Sequence, residues 1–428
     1  MQEQKQWQKP EKVVLFAVTE KGEVKKAEDS LIELAELTQT AGGEVVGQMI
    51  QPLEAVNKRT YLGKGKVEEL KALVEAVGAQ AVIADDELAP SQIRNLEEAL
   101  GVKVLDRALL ILDIFAQRAA TREGILQVEA AQLADSLTRL IGEGHALSRQ
   151  GGGIGTRGAG EKKLETDRRH IRLRLGILRK ELKELEAQRE MNREVRRKQG
   201  YPLIAIVGYT NAGKSSLLNK LTEADVLAED KLFATLDTTT RALALSSKQT
   251  VMLTDTVGFI RKLPHHLVEA FRSTLEEAAV ADLILHVVDG ANPFEEKHRQ
   301  VVYETLAQIG ADQIPVITVF NKKDIWPEEI VLRDERAEMT ASVSVRTGDG
   351  LEELLAEIEE MIRRLKPYIR TTIPYADGQK VDFIRRYGQV VKEEYTENGT
   401  YLEAYLEEAY IRKLGLKEEK YEQSGSDF

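Results

Sequence analysis

The chain of 428 residues has no cysteine. Disulfides and thiolate metal sites are therefore excluded. It also lacks a membrane-spanning run: although 42% of the residues are hydrophobic, no apolar stretch reaches the ~18 residues needed to cross a bilayer. The N-terminus is polar and has no signal-peptide pattern, so a cytoplasmic protein is expected. Positive charge is in deficit. There are 60 Lys and Arg against 71 Asp and Glu, a formal net charge of -11. That argues against a uniformly basic nucleic-acid binder but leaves room for a local basic patch. The length allows two or three cores.

What is present begins with Gly208-Tyr209-Thr210-Asn211-Ala212-Gly213-Lys214-Ser215, which fits the P-loop pattern G-x-x-x-x-G-K-[ST]. It follows the apolar run Leu203–Val207 and leads into a helical run starting at Ser216. Strand, loop and helix in that order are the context the motif requires. Backbone N–H groups of the loop and the helix N-terminus would cradle phosphate oxygens. Lys214 would reach the β- and γ-phosphates, and the Ser215 hydroxyl would bind Mg²⁺.

Asn321-Lys322-Lys323-Asp324 follows a second apolar run, Val316–Phe320. In this order after a P-loop, N-K-x-D reads guanine. The Asp324 carboxylate can accept from guanine N1–H and the 2-amine, and adenine would leave it unpaired. The Lys322 stem can lie along the base, and Asn321 can tie this loop to the P-loop. Ser344-Val345-Arg346 stands where GTPases carry an S-A-K-like turn, and departs from it at the last two positions. Between these motifs lies Asp255-Thr256-Val257-Gly258. Asp255 would hold Mg²⁺ through water, and the Gly258 N–H would sense the γ-phosphate.

The Thr-rich run 234–241 reads as a switch segment in which one threonine ligates Mg²⁺. Thr235 is the expected ligand, with Thr239 in reserve. An ordinary solvated loop is the plainer alternative. Lys214, Thr235 and Gly258 are the expected catalytic set. Phe259 stands where many GTPases place a Gln that orients the attacking water. Hydrolysis must then be slow alone or completed from outside. Asn211 either recruits K⁺ against the phosphates or only braces the loop.

These residues, with others outside the GTPase motifs, resemble the HflX family of ribosome-associated bacterial GTPases. The likeness rests on Tyr61–Lys66, Leu88–Glu97, Asp113–Ala119, Gly124–Glu129, Leu147–Gly158 and Asp255–Ile260 with its Phe. Ala130–Thr138 is less typical, and Thr238 stands where the family commonly has Pro. The resemblance implies a GTP switch that docks on the large (50S) ribosomal subunit near the peptidyl-transferase region of its rRNA. It implies the splitting of stalled or idle ribosomes. Localisation would be cytoplasmic and partly ribosome-associated, with a monomer off the ribosome. The family has also been credited with ATP use by its N-terminal part, which the turn Gly63-Lys64-Gly65-Lys66 supports only weakly, since a glycine turn capping a helix explains it better.

The expected class is α/β. Residues 1–11 form a loose end. Residues 12–118 alternate strands and helices as a parallel α/β subdomain. Residues 119–200 carry two narrow apolar stripes, Leu126, Ala130, Leu133, Leu137, Leu140 and Leu164, Ile171, Leu175, Leu178, Leu182, Leu185. Such stripes suit a two-helix hairpin. Its loop, 142–160, has eight glycines in nineteen residues. Residues 201–365 form the doubly wound, mostly parallel GTPase domain, and 366–428 a small α/β unit. Within 168–198 there are twelve Lys or Arg against five Asp or Glu, and no aromatic residue. A basic hairpin whose tip carries Arg149, Gly151, Gly152, Gly153 and Arg157 suits insertion into folded RNA by phosphate contact rather than base stacking. A plain structural hairpin remains the alternative. Two rival functions stay open: an ATP-dependent RNA-remodelling enzyme, and an RNA-binding scaffold with a regulatory nucleotide site.

Overall fold

The computed structural model describes residues 10–150, 159–199, 201–222, 232–233, 239–246, 249–262, 272–326, 332–406 and 408–416. The first sheet is four-stranded and wholly parallel. It is built from β1 (Glu11–Thr19), β2 (Gly43–Pro52), β3 (Ala81–Ala84) and β4 (Lys103–Asp106), in the order β2-β1-β3-β4. A sheet covered on both faces needs strands that are apolar throughout. β1 meets that need: Val13, Leu15 and Ala17 join one core, Val14 and Phe16 the other. Helices α1 (Val24–Thr40) and α4 (Arg107–Arg118) cover the first face, and α2 (Lys64–Val77) with α3 (Pro90–Leu100) the second.

Two long helices follow, α5 (Arg122–Gln150) and α6 (Ala159–Gln199). The loop expected over 142–160 is narrower than its glycine content implies, because both helices extend into it. The hairpin is stitched by ion pairs. Arg174 makes a two-pronged contact with Glu129, at 2.7 Å on each oxygen. Arg122–Glu181 and Arg189–Glu123 each close at 3.0 Å. Part of the basic surplus is thus engaged inside the hairpin.

The GTPase sheet has six strands: β5 (Leu203–Gly208), β6 (Thr239–Ala244), β7 (Thr250–Asp255), β8 (Leu283–Asp289), β9 (Val316–Asn321) and β10 (Met339–Ser342). Their order is β10-β9-β8-β5-β7-β6, and only β6 is antiparallel. Helices α7 (Lys214–Thr222) and α10 (Leu351–Arg364) lie against one face of this sheet. Helices α8 (Arg272–Ala279) and α9 (Glu295–Gln308) lie against the other. This is the α/β class with a mostly parallel GTPase sheet that the sequence implies. The last unit is a three-stranded antiparallel sheet of β11 (Tyr368–Ile373), β12 (Gln389–Thr396) and β13 (Gly399–Tyr405). It carries α11 (Gly378–Tyr387) and α12 (Glu408–Leu414). Among the described residues no helix is long and apolar enough to cross a membrane.

Candidate functional site

β5 lies in the middle of its sheet, fully buried, and delivers Gly208 to the strands' C-terminal edge. That edge is where doubly wound sheets bind ligands. Tyr209–Gly213 form the loop, and Lys214, Ser215 and Ser216 open α7. Asn211 is left-handed at φ +62°, and Gly213 at +95°. A Cβ on Gly213 would lie 2.3 Å from Asn321 Nδ2, so only glycine fits. Asn321 ties the loops together: its Nδ2 donates to the Ala212 carbonyl at 2.9 Å, and its Oδ1 accepts from the Val345 N–H at 3.1 Å.

Lys214 is buried, and its Nζ donates to the Tyr209 carbonyl at 2.8 Å. Burial pulls its pKa down to about 8, partly opposed by Asp255. The Ser215 hydroxyl donates to Asp255 Oδ2 at 2.6 Å. Asp255 ends β7 and is completely buried. Gly258 passes so close that a Cβ would lie 2.9 Å from Thr210 Cα and 3.0 Å from Lys214 Nζ. Phe259 then pairs with the P-loop backbone. Its N–H donates to the Gly208 carbonyl at 3.0 Å, and its carbonyl accepts from Thr210 N–H at 2.9 Å. The Phe259 ring is buried in the core that β5 shares with α8 and α9. Thr239 begins β6 in register with Asp255. Thr235 lies outside the described residues, as do Gly151, Gly152, Gly153 and Arg157. Arg149 lies in the last turns of α5, where only the backbone is described.

At the other loop, Asp324 Oδ1 accepts from the Ser344 hydroxyl at 2.6 Å, and Arg346 pairs with Oδ2. The Ser344 hydrogen bond is the main reason its carboxyl is held below the usual range. Lys322 is left-handed, and its ammonium reaches Asp289 at 2.7 Å.

Sequence patterns gave no hint of the contacts with the first unit. Tyr209 OH donates to Glu33 of α1 at 2.6 Å and accepts from the Arg261 N–H at 2.9 Å. Its ring lies flat on His298, with centroids 3.7 Å apart. Arg107 is buried between Glu33 and Asp85. Lys262 spans Asp85 and Asp86 at 2.5 Å each, and Lys297 reaches Asp29 at 3.1 Å. Leu232, Phe233, Val257 and Ile260 insert into the first unit's core, Phe233 edge-on to Phe115 at 4.7 Å. Beside them a cavity of about 540 Å³ opens between α1, the P-loop and the start of α9.

Three family models cover most of the chain. Residues 28–116 match "GTP-binding GTPase N-terminal", 118–196 match "GTP-binding GTPase Middle Region", and 203–322 match "50S ribosome-binding GTPase". GTPase HflX of Lacrimispora saccharolytica is 53% identical over 396 residues, 92% of this chain and 93% of that protein. The chain belongs to the HflX family of GTPases. A second HflX relative, from Caldanaerobacter subterraneus, is 50% identical over 394 residues, 92% of this chain and 90% of its own length. The solved complex of SsGBP with GDP is 26% identical, covers 83% of this chain and 99% of that one, and superposes with a TM-score of 0.46. As an HflX-family GTPase the protein binds GTP and hydrolyses it.

Proposed function

We propose that the protein is a GTP-driven switch that docks on the large ribosomal subunit and separates stalled or idle ribosomes, with its turnover raised by that surface. The match of residues 203–322 to a 50S ribosome-binding GTPase model supports the partner. The observation that carries the switch is the insertion of Leu232, Phe233, Val257 and Ile260 into the first unit's core. Leu232 and Phe233 precede the Thr-rich run, Val257 lies within the D-x-x-G segment and Ile260 just after it, and these are the two places where a GTPase senses its γ-phosphate. A change in either segment must therefore move or strain the first unit, and through it the hairpin.

The nucleotide residues take roles that their geometry supports. Gly208–Ser216 wrap the phosphates, with Lys214 supplying a fixed positive charge. Asn321, Lys322 and Asp324, backed by Ser344, Val345 and Arg346, hold the guanine. Ser215 and Asp255 are hard oxygen donors already brought together at 2.6 Å, which suits magnesium. Thr235, or Thr239 beside Asp255, would add the switch ligand. Magnesium, when bound, neutralises charge on the β- and γ-phosphate oxygens. Asn211 is the candidate K⁺ contact. The Phe259 ring belongs to the buried core and cannot orient water, so hydrolysis is slow alone or, on this reading, completed by the ribosomal surface. The tip residues Arg149, Gly151, Gly152, Gly153 and Arg157 are the proposed rRNA contact.

Turnover measured with and without large subunits, in K⁺ and in Na⁺, tests this. Stimulation by the subunit is expected, with a K⁺ preference that Asn211→Ala removes. A rate that no ribosomal particle raises in either salt rejects the docking switch. An unchanged ion ratio in Asn211→Ala returns that residue to bracing the loop.

A further inference from the structure

We infer that Trp326 is a positioning residue for base selectivity, holding the Asp324 carboxylate in place through a slot that Gly290 keeps open. The inference rests on the reading of Asp324 as the guanine contact.

The loop needs such a hold. Lys322 is left-handed at φ +65°, a region that a lysine backbone disfavours. Asp324 follows in a single short turn, Lys323–Ile325. Its N-terminal side is anchored by Asn321, whose side chain bonds Ala212 and Val345. Its C-terminal side is anchored by Trp326. The indole N–H reaches back to donate to the Asn321 carbonyl at 3.1 Å. That bond closes residues 321–326 into a ring with Asp324 inside it.

The slot for the indole comes from another strand end. Gly290 follows β8, and its N–H donates to the same Asn321 carbonyl at 3.1 Å. A Cβ at Gly290 would lie 2.3 Å from Trp326 Cζ2 and 2.6 Å from its Nε1. No other residue lets the ring lie there. The adjacent Asp289 takes the Lys322 ammonium, and Phe320 meets the indole edge-on at 6.4 Å. Two donors, one ion pair and one ring contact therefore converge on the backbone that aims Asp324. A carboxylate that accepts two hydrogen bonds from one base edge tolerates little displacement. The 2-amine, at the edge of the base, is the contact most exposed to such a shift.

Binding of guanosine and inosine diphosphates to the full chain tests the inference, because inosine lacks the 2-amine. In Trp326→Phe the ring stays and the N–H goes. GDP affinity should fall about tenfold and the GDP-over-IDP preference should shrink several-fold. The loss should appear in KM for GTP more than in kcat. Gly290→Ala keeps the indole but blocks its slot, and should give the same shrinkage. General damage to the loop would weaken GDP and IDP alike, so an unchanged ratio in both variants overturns the proposal. Should Trp326→Phe fail to fold, Gly290→Ala decides alone. Asp324→Asn tests the underlying reading separately. It should pass preference to xanthosine diphosphate, whose 2-oxo group accepts from an amide N–H. If that swap occurs while the Trp326 and Gly290 variants keep the wild-type ratio, only the positioning role falls. If no swap occurs, the guanine reading itself falls.

Discussion

At the residue scale the site turns on one buried ammonium. Lys214 loses hydration on burial, and its pKa falls to about 8, with Asp255 offsetting part of the fall. Its folded value lies below its unfolded one. The charged form therefore costs stability at every pH below about 8, and the cost lifts as pH rises from there toward the ordinary lysine range. Bound phosphates reverse the balance by favouring the charged form. GDP binding at pH 9 should therefore take up close to one proton, and at pH 7 almost none from this group. Calorimetry in two buffers of different ionisation enthalpy measures this directly, and equal heats at pH 9 would rule out the coupling. Lys214→Ala should lose both the uptake and tight binding. Lys214, Ser215, Asp255 and Asn321 were legible in the sequence because strand, loop and helix fix their neighbours locally. Glu33 was not. Its partner Tyr209 lies 176 residues away, and no periodicity encodes a contact at that range.

At the element scale, the helices and strands of the first unit followed from apolar runs and glycine stops. Boundaries were less legible. α1 begins at Val24, and among its first six residues only Ala27 is a buried apolar residue, so no apolar stripe marks its start. The glycines of 142–160 implied a long loop, whereas both flanking helices extend into it. The aromatic contact between units had no pattern to betray it. Phe233 is 2% exposed and stands edge-on to Phe115 of α4. Truncating a buried Phe removes its transfer energy and leaves a cavity, together about 3 to 5 kcal/mol. Phe233→Ala should therefore loosen the first unit from the GTPase sheet by about 3 kcal/mol. Chemical denaturation should then give one transition in the parent and two separated transitions in the variant. A single transition at the parental midpoint would mean that this contact contributes nothing to coupling.

At the scale of the whole molecule, charge sets the docking problem. A net charge of -11 repels rRNA at long range. Any attraction must come from a local surface, and residues 168–198 are rich in cations, with twelve Lys or Arg against five Asp or Glu. Several of those cations are already engaged: Arg174 on Glu129 and Arg189 on Glu123 within the hairpin, and Arg193 on Glu277 of α8 in the GTPase unit at 2.8 Å. On the proposed reading, Arg149 and Arg157 are the phosphate contacts. Each phosphate neutralised by a cation contributes roughly 0.7 to 0.9 to the slope of log affinity against log salt. Arg149→Ala together with Arg157→Ala should weaken binding to large subunits and flatten that slope by about 1.4 to 1.8. The same pair of changes should leave GDP affinity untouched, since neither residue belongs to the nucleotide loops. Sedimentation with large subunits across a salt series measures both effects. An unaltered slope would assign the hairpin a structural role, and docking would then have to run through a surface other than its tip.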